Sequence, residues 1–286
     1  MRTVEVPARR RRSERLRGMQ VASGVLSVQE SAALAAVGFT VTSEVMGAVA
    51  MRAPVTGFFQ RAGGGSTYPR GWQGDGGPPP VYTSSRTPRV PARVTSLRAG
   101  YRIALARLID EVRAVGADGA VDVRVDHTVA ETLGDLVWRF LATGTAVRGA
   151  GPTRARVPFT AALSAAETAA ALRAGWVPVG YLACPVMAVR WVEPESRRQE
   201  RTLSANGEVT AFTHTVTECR RQAGADFARV ARGRGADGAV MKSMSMEVGP
   251  AVDLAEVNVL VIGTAVAQFR APEATAPLTV LSLGAR

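Results

Sequence analysis

The hexapeptide Gly116-Ala117-Asp118-Gly119-Ala120-Val121 recurs as Gly235-Ala236-Asp237-Gly238-Ala239-Val240. Each copy is followed at equal distance by Gly-Thr-Ala-Val, at Gly144 to Val147 and at Gly263 to Val266. A fixed offset of 119 residues between two such blocks reads as tandem duplication. Whatever one unit folds into, a neighbouring segment must fold into as well. At 286 residues the chain has room for two units of about 110 residues, each with a modest core of its own.

An earlier pair of signals extends the repeat upstream. Leu26-Ser27-x-x-Glu30 with Gly38-Phe39 matches Leu163-Ser164-x-x-Glu167 with Gly175-Trp176 at an offset of 137, so the first copy holds a net insertion of 18 residues. The segment 60–94, rich in Gly, Pro, Ser and Arg, is its place and reads as a long loop. The organisation expected is a basic tail at 1–20, a first repeat at 21–150 carrying the insertion, a second repeat at 151–271, and a C-terminal tail at 272–286.

Each repeat spells out the same local order. Ser27 and Ser164 stand three residues before Glu30 and Glu167, the spacing of a reciprocal N-terminal helix cap. Short helices follow at 28–37 and 165–174, ended by Gly38 and Gly175, and extended segments come next at 39–50 and 176–192. Leu97, Tyr101, Ala104, Leu105, Leu108, Val112 and Val115 recur at helical spacing and predict a long helix from Thr95 to Val115. Its counterpart runs from Val209 to Arg234, where Gly224 costs roughly 1 kcal/mol relative to alanine and predicts a weaker or bent helix. Gly116 and Gly235 then cap these helices, and the Asp-Gly pairs turn the chain into strands. A second strand follows in each copy, with Trp138, Phe140 and Ala142 matching Val257, Val259 and Val261. The fold class is α+β, each unit a short helix, a strand, a long helix and an antiparallel strand pair.

This order, with Gly-Ala-Asp-Gly-Ala-Val after the long helix and Gly-Thr-Ala-Val in the closing strand, resembles the YbjQ-like family, small proteins labelled heavy-metal-binding. Gly47-Ala48, Gly57-Phe58-Phe59 and Gly63-Gly64-Gly65-Ser66 echo that family in order. The two copies cover residues 26–148 and 163–270, and the matching motifs are structural glycines and apolar strands, which speak for fold more than for activity. The resemblance implies a homo-oligomer, a closed ring whose strands continue between protomers, commonly with five positions. A two-domain chain cannot fill an odd ring a whole number of times, so stacked pentameric rings are expected. Pairing strand edges around a ring removes an aggregation liability.

Charge and cysteine content bound the partners. The net charge is +11, but residues 1–20 hold seven arginines against Glu5 and Glu14, and Lys242 is the lone lysine. Much of the charge is therefore tail. Cys184 and Cys219 lack a metal-ligand spacing or a disulfide framework, which suits a reducing, cytoplasmic setting. No run reaches the ~20 apolar residues of a spanning helix.

The candidate sites are weak. His127, level with Met246, falls on the apolar face of its strand and reads as a packed core residue. His214 and Cys219, five apart on a helix, point about 140° away from each other. Strand alternation puts Met244 and Met246 on one face and Met241 on the other; the thioether cluster reads as core packing, since valines such as Val125 fill those places in the other copy, and no metal ligand is assigned. The glycine motifs follow helices, whereas phosphate loops precede them. Asp122, Arg124 and Asp126 line the polar strand face but become Met241, Ser243 and Ser245 in the second copy, so paired-carboxylate chemistry would exist once only. No nucleophile context is present, no cofactor is indicated, and no enzyme is expected. The expectation is a non-enzymatic ring-forming scaffold or small-ligand-binding protein. The alternative is a nucleic-acid- or anionic-surface-associated protein using Arg9, Arg10, Arg11 and Arg12 of the tail with Arg61, Arg70, Trp72, Arg86 and Arg89 of the insertion.

Overall fold

The computed structural model describes residues 26–52, 82–83, 92–132, 135–152, 155–191, 210–249, 254–270 and 281–282. In chain order the elements are α1 (Val28–Ala35), β1 (Phe39–Arg52), β2 (Tyr82–Thr83), α2 (Ala92–Ala114), β3 (Gly119–Thr132), β4 (Asp135–Gly149) and β5 (Phe159–Thr160). There follow α3 (Ala165–Arg173), β6 (Trp176–Trp191), α4 (Thr210–Arg232), β7 (Gly238–Gly249), β8 (Leu254–Gln268) and β9 (Leu281–Ser282). Sheet 1 has the order β1-β4-β3-β5 and sheet 2 the order β2-β6-β8-β7-β9. The chain is α+β, and its two halves run through one element order.

Local chemistry accounts for the element ends. Ser27 and Ser164 each accept the amide of the glutamate three residues on, at 3.3 Å and 3.2 Å, while Glu30 and Glu167 accept the serine amides at 3.0 Å and 2.7 Å. Gly38, Gly175, Gly116 and Gly235 all take positive φ where the chain leaves a helix. Beyond the two longer helices, Asp118 accepts the Gly149 amide at 2.8 Å and Asp237 accepts the Gln268 amide at 2.9 Å. One turn is thus pinned to the adjoining strand in the same way twice. Helix α2 begins at Ala92, three residues before the expected Thr95, because that added turn sinks Val94 into the core.

Register matches across the halves. Gly119 pairs with Val147 as Gly238 pairs with Val266, and the first strands shift register between Val41 and Ser43 and between Pro178 and Gly180. The connection between halves departs from the even division that the repeat suggests. Phe159 and Thr160 pair in parallel with Gly119 and Ala120, so this connection forms an edge strand of sheet 1. The insertion supplies β2, which pairs with Val189 and Ala188 of the other half, and the C-terminal tail supplies β9 against β7. All three segments give partners to strands that would otherwise be edges.

Helix α2 lies over β1 and β4, and α4 over β6 and β8. The second core holds Leu182, Cys184, Val186, Cys219, Ala223, Phe227, Val257, Val259 and Val261. The first holds Val45, Tyr101, Ala104, Leu108, Val112, Val125, Trp138 and Phe140. It also receives Tyr181, Ala183, Leu260 and Ile262 from the face of sheet 2 turned away from α4. The second half thereby completes the core of the first, while the equivalent face of sheet 1 leaves Ala48, Ala50, Arg139 and Leu141 exposed. Between the cores, Leu34 of α1 and Ala165 of α3 share a small cluster with Val121 and Val147. Buried threonines fasten the join: Thr264 accepts the Ala162 amide at 2.8 Å and Thr160 accepts the Tyr181 amide at 3.0 Å.

Candidate functional site

Polar side chains line the outer edge of each first strand, and one of them crosses between the halves. On β1, Glu111 of α2 accepts the Met46 amide at 2.8 Å, and Arg107 donates to the Ala48 carbonyl. These outward backbone groups would otherwise invite another strand. Pro185 stands on β6 where Ala48 stands on β1, and its carbonyl accepts from Arg98 at 3.3 Å. That arginine comes from the other half, and Asp226 holds it at 2.9 Å. Asp226 occupies on α4 the place of Arg107 on α2, so one half caps the edge from its own helix and the other recruits a cation across the join. Asp226 is itself 8% exposed and accepts from Arg229 at 3.0 Å and Gln222 at 3.1 Å, which satisfies its buried carboxylate.

A second group stands near the open end of sheet 1. Tyr101 Oη lies 3.0 Å from His127 Nδ1, and the imidazole stacks on Phe140 with ring centroids 5.8 Å apart. Burial drives the Tyr101 phenol well above its ordinary range, with Asp126 adding to the shift, so it stays neutral and able to donate. His127 is on the apolar face as expected but is exposed rather than packed inside, because it covers the last aromatic residues of the core and supplies the polar partner that the phenol needs. The Tyr181 hydroxyl, beneath it in the same core, sits by the Val125 backbone without a hydrogen bond of ordinary geometry. The second half has Met246, Arg220 and Val259 at the places of His127, Tyr101 and Phe140, so the arrangement occurs once.

The expected split of the methionines between two strand faces is overturned. Met241, Met244 and Met246 pair with Gly263, Val261 and Val259, which alternate regularly along β8, so all three lie on one face. The register shift inserts Lys242 and cancels the alternation that separated them; Met241 and Met246 pack on the second core. Lys242, turned outward by the same bulge, meets Glu167 at 2.6 Å. The bulge in β3 likewise removes Asp122 from the regular strand face: it takes φ +49°, donates its amide to the Leu163 carbonyl and pairs with Arg124 at 3.0 Å. Arg124 and Asp126 remain exposed.

His214 is exposed whereas Cys219 is buried, its thiol 3.5 Å from the Val257 carbonyl. Burial pushes both thiols, Cys184 and Cys219, up to about 11, which keeps them protonated and unreactive in the folded protein. Among the described residues no three His, Cys, Asp or Glu side chains converge as metal ligands, and no helix is long and apolar enough to cross a membrane. The basic and aromatic candidates Arg9, Arg10, Arg11, Arg12, Arg61, Arg70, Trp72, Arg86 and Arg89 lie outside the described residues.

Sequence reasoning did not single out Arg98, Arg107, Glu111 or Asp226. The signal available was polar residues of α2 and α4 flanking an apolar stripe, which any surface helix shows. Comparison with protein-family models, with curated proteins and with solved structures finds no match.

Proposed function

We propose that this chain is a non-enzymatic oligomeric scaffold or small-ligand-binding protein built from two tandem units of the YbjQ-like kind, with metal binding attached only through that family's label. Duplication is supported by the shared element order, the matched glycine turns and the paired Asp118 and Asp237 contacts. The observation that carries the assembly reading is an asymmetry. One face of sheet 2 is buried against the first half, and the equivalent face of sheet 1, with Leu141 at 38% exposure, has no such cover among the described residues. Unit-on-unit contact is thus built into a single chain, with one such face left over.

The route of association differs from the strand continuation that the resemblance implies. Glu111 and Arg107 occupy outward groups of β1, and β2, β5 and β9 lie along other strand edges, so faces are better placed than edges to meet a neighbour. Native mass spectrometry of the full chain tests the reading. A multiple of 30.1 kDa is expected, five copies being what two stacked five-membered rings with one unit of each copy in either would hold. A strict monomer at micromolar concentration would overturn it.

A further inference from the structure

The contact inside the chain is a template for the contact between chains. Positions on β1 correspond to positions 137 residues later on β6, and positions on α2 and β4 to positions 119 residues later on α4 and β8. Tyr181, fully buried, projects from the far face of sheet 2 into the core that holds Tyr101 of α2. On the free surfaces, Glu44 stands where Tyr181 would stand, and Arg220 where Tyr101 would stand. Two aromatic neighbours inside the chain thus become two opposite charges on surfaces that face outward.

Further exchanges run the same way. Ala183 and Leu105 belong to the internal contact; their counterparts are Met46 on sheet 1 and Gly224 on α4. A Cβ built on Gly224 would meet nothing within 4 Å, so this spot on the helix is open to a long side chain such as that of Met46. Leu260 has Leu141 as its equivalent, while Ile262 is replaced by Thr143. Large meets small and plus meets minus at equivalent places, and the whole is more polar than the internal contact.

We propose that copies of this chain associate head to tail, the bare face of sheet 1 in one copy seated on the outer flank of α4 in the next, with Glu44 paired to Arg220. This rests on the reading that copies assemble and adds the surfaces to it, with the two units of each copy alternating along one assembly instead of lying in separate stacked rings. The contact is heterologous, so it closes into a ring only if the rotation between copies divides a full turn. Its reliance on an ion pair where the internal contact uses aromatic rings makes it the weaker of the two and sensitive to salt.

Sedimentation velocity on the full chain, at low and at high salt, tests the pairing. Glu44→Arg sets two arginines opposite each other and Arg220→Glu sets two glutamates, so each single variant is expected to weaken association about tenfold or more. The double variant restores the opposite signs and is expected to recover the wild-type mass. Both side chains stand on outward surfaces, and circular dichroism verifies that each variant remains folded. Loss in the single variants without recovery in the double overturns the direct pairing. A wild-type oligomer untouched by either single variant overturns this surface and leaves the assembly reading standing. A monomeric wild type overturns both.

Discussion

The two halves share a backbone plan and fill it differently. In the first, α2 presses on β1 at Gly47, where any Cβ would collide with the backbone of Ala104 and Leu108. The second has Cys184 at that place and makes its close approach on β8, where Gly263 admits the Phe227 ring. Gly100 and Phe140 form another contact, the ring lying where a side chain on the helix would be; the corresponding residues are Cys219 and Val259. Arg107 caps a strand edge directly, whereas Asp226 does so through Arg98. Side-chain volume and charge have moved between partners while the positions of the partners stayed put. The unit of constraint is therefore the touching pair, since a close-packed core fixes the sum of two volumes more firmly than either one.

Putting one half's residue into the other should fail where the partner is backbone. Gly47→Cys is expected to cost about 3 kcal/mol or more, because neither Ala104 nor Leu108 can yield without moving α2. Urea unfolding that shows less than about 1 kcal/mol would mean that this approach is slack.

Where the partner is a side chain, moving both members should rescue the exchange. Gly100→Cys and Phe140→Val are each expected to cost about 2 kcal/mol, one by collision and one by cavity. Together they should cost at least about 1 kcal/mol less than their sum, and strict additivity in a double-mutant cycle would break the correspondence.

The edge caps come next in size. Asp226→Asn removes the charge that holds Arg98 and is expected to cost about 1–2 kcal/mol in thermal or urea unfolding. Arg107→Ala, with its carbonyl partner on a more open edge, should cost less. Equal losses would remove the distinction between a cap made locally and one made across the join.

The smallest effect is one of pH. Burial raises the Glu167 pKa, but its bonds to Lys242 and Ser164 outweigh that, and the carboxyl sits below its ordinary value of 4.5. A depressed folded-state pKa contributes stability that is complete above the unfolded value and is lost as pH falls through the folded one. Lys242→Ala should flatten that acid-side slope by less than about 1 kcal/mol, since the pair is partly exposed. An unchanged slope would show that the serine cap alone sets this carboxyl, as Ser27 chiefly does for Glu30.

Features governed by neighbours in sequence were legible. The capping boxes of Ser27 with Glu30 and Ser164 with Glu167, the positive-φ glycines and both strand pairs follow from contacts within a few residues or from simple periodicity. Helix α4 follows its stripe without a break through Gly224. Reading failed where one extra residue changed a phase. Lys242 returned Met241 to the face of Met244, and Asp122 left the regular strand face, because a bulge is set by what the strand pairs with on both sides.

From the amino-acid order alone came an α+β chain with one plan stated twice, since local hydrogen bonding and apolar spacing need no knowledge of distant residues. Tertiary structure alone decided that Tyr181 enters the first core, that Arg98 caps a strand of the other half, and that the insertion, the connection and the C-terminal tail each add an edge strand. Those outcomes join residues far apart in the chain, and which carbonyl is exposed or which face is bare exists only after both sheets have formed.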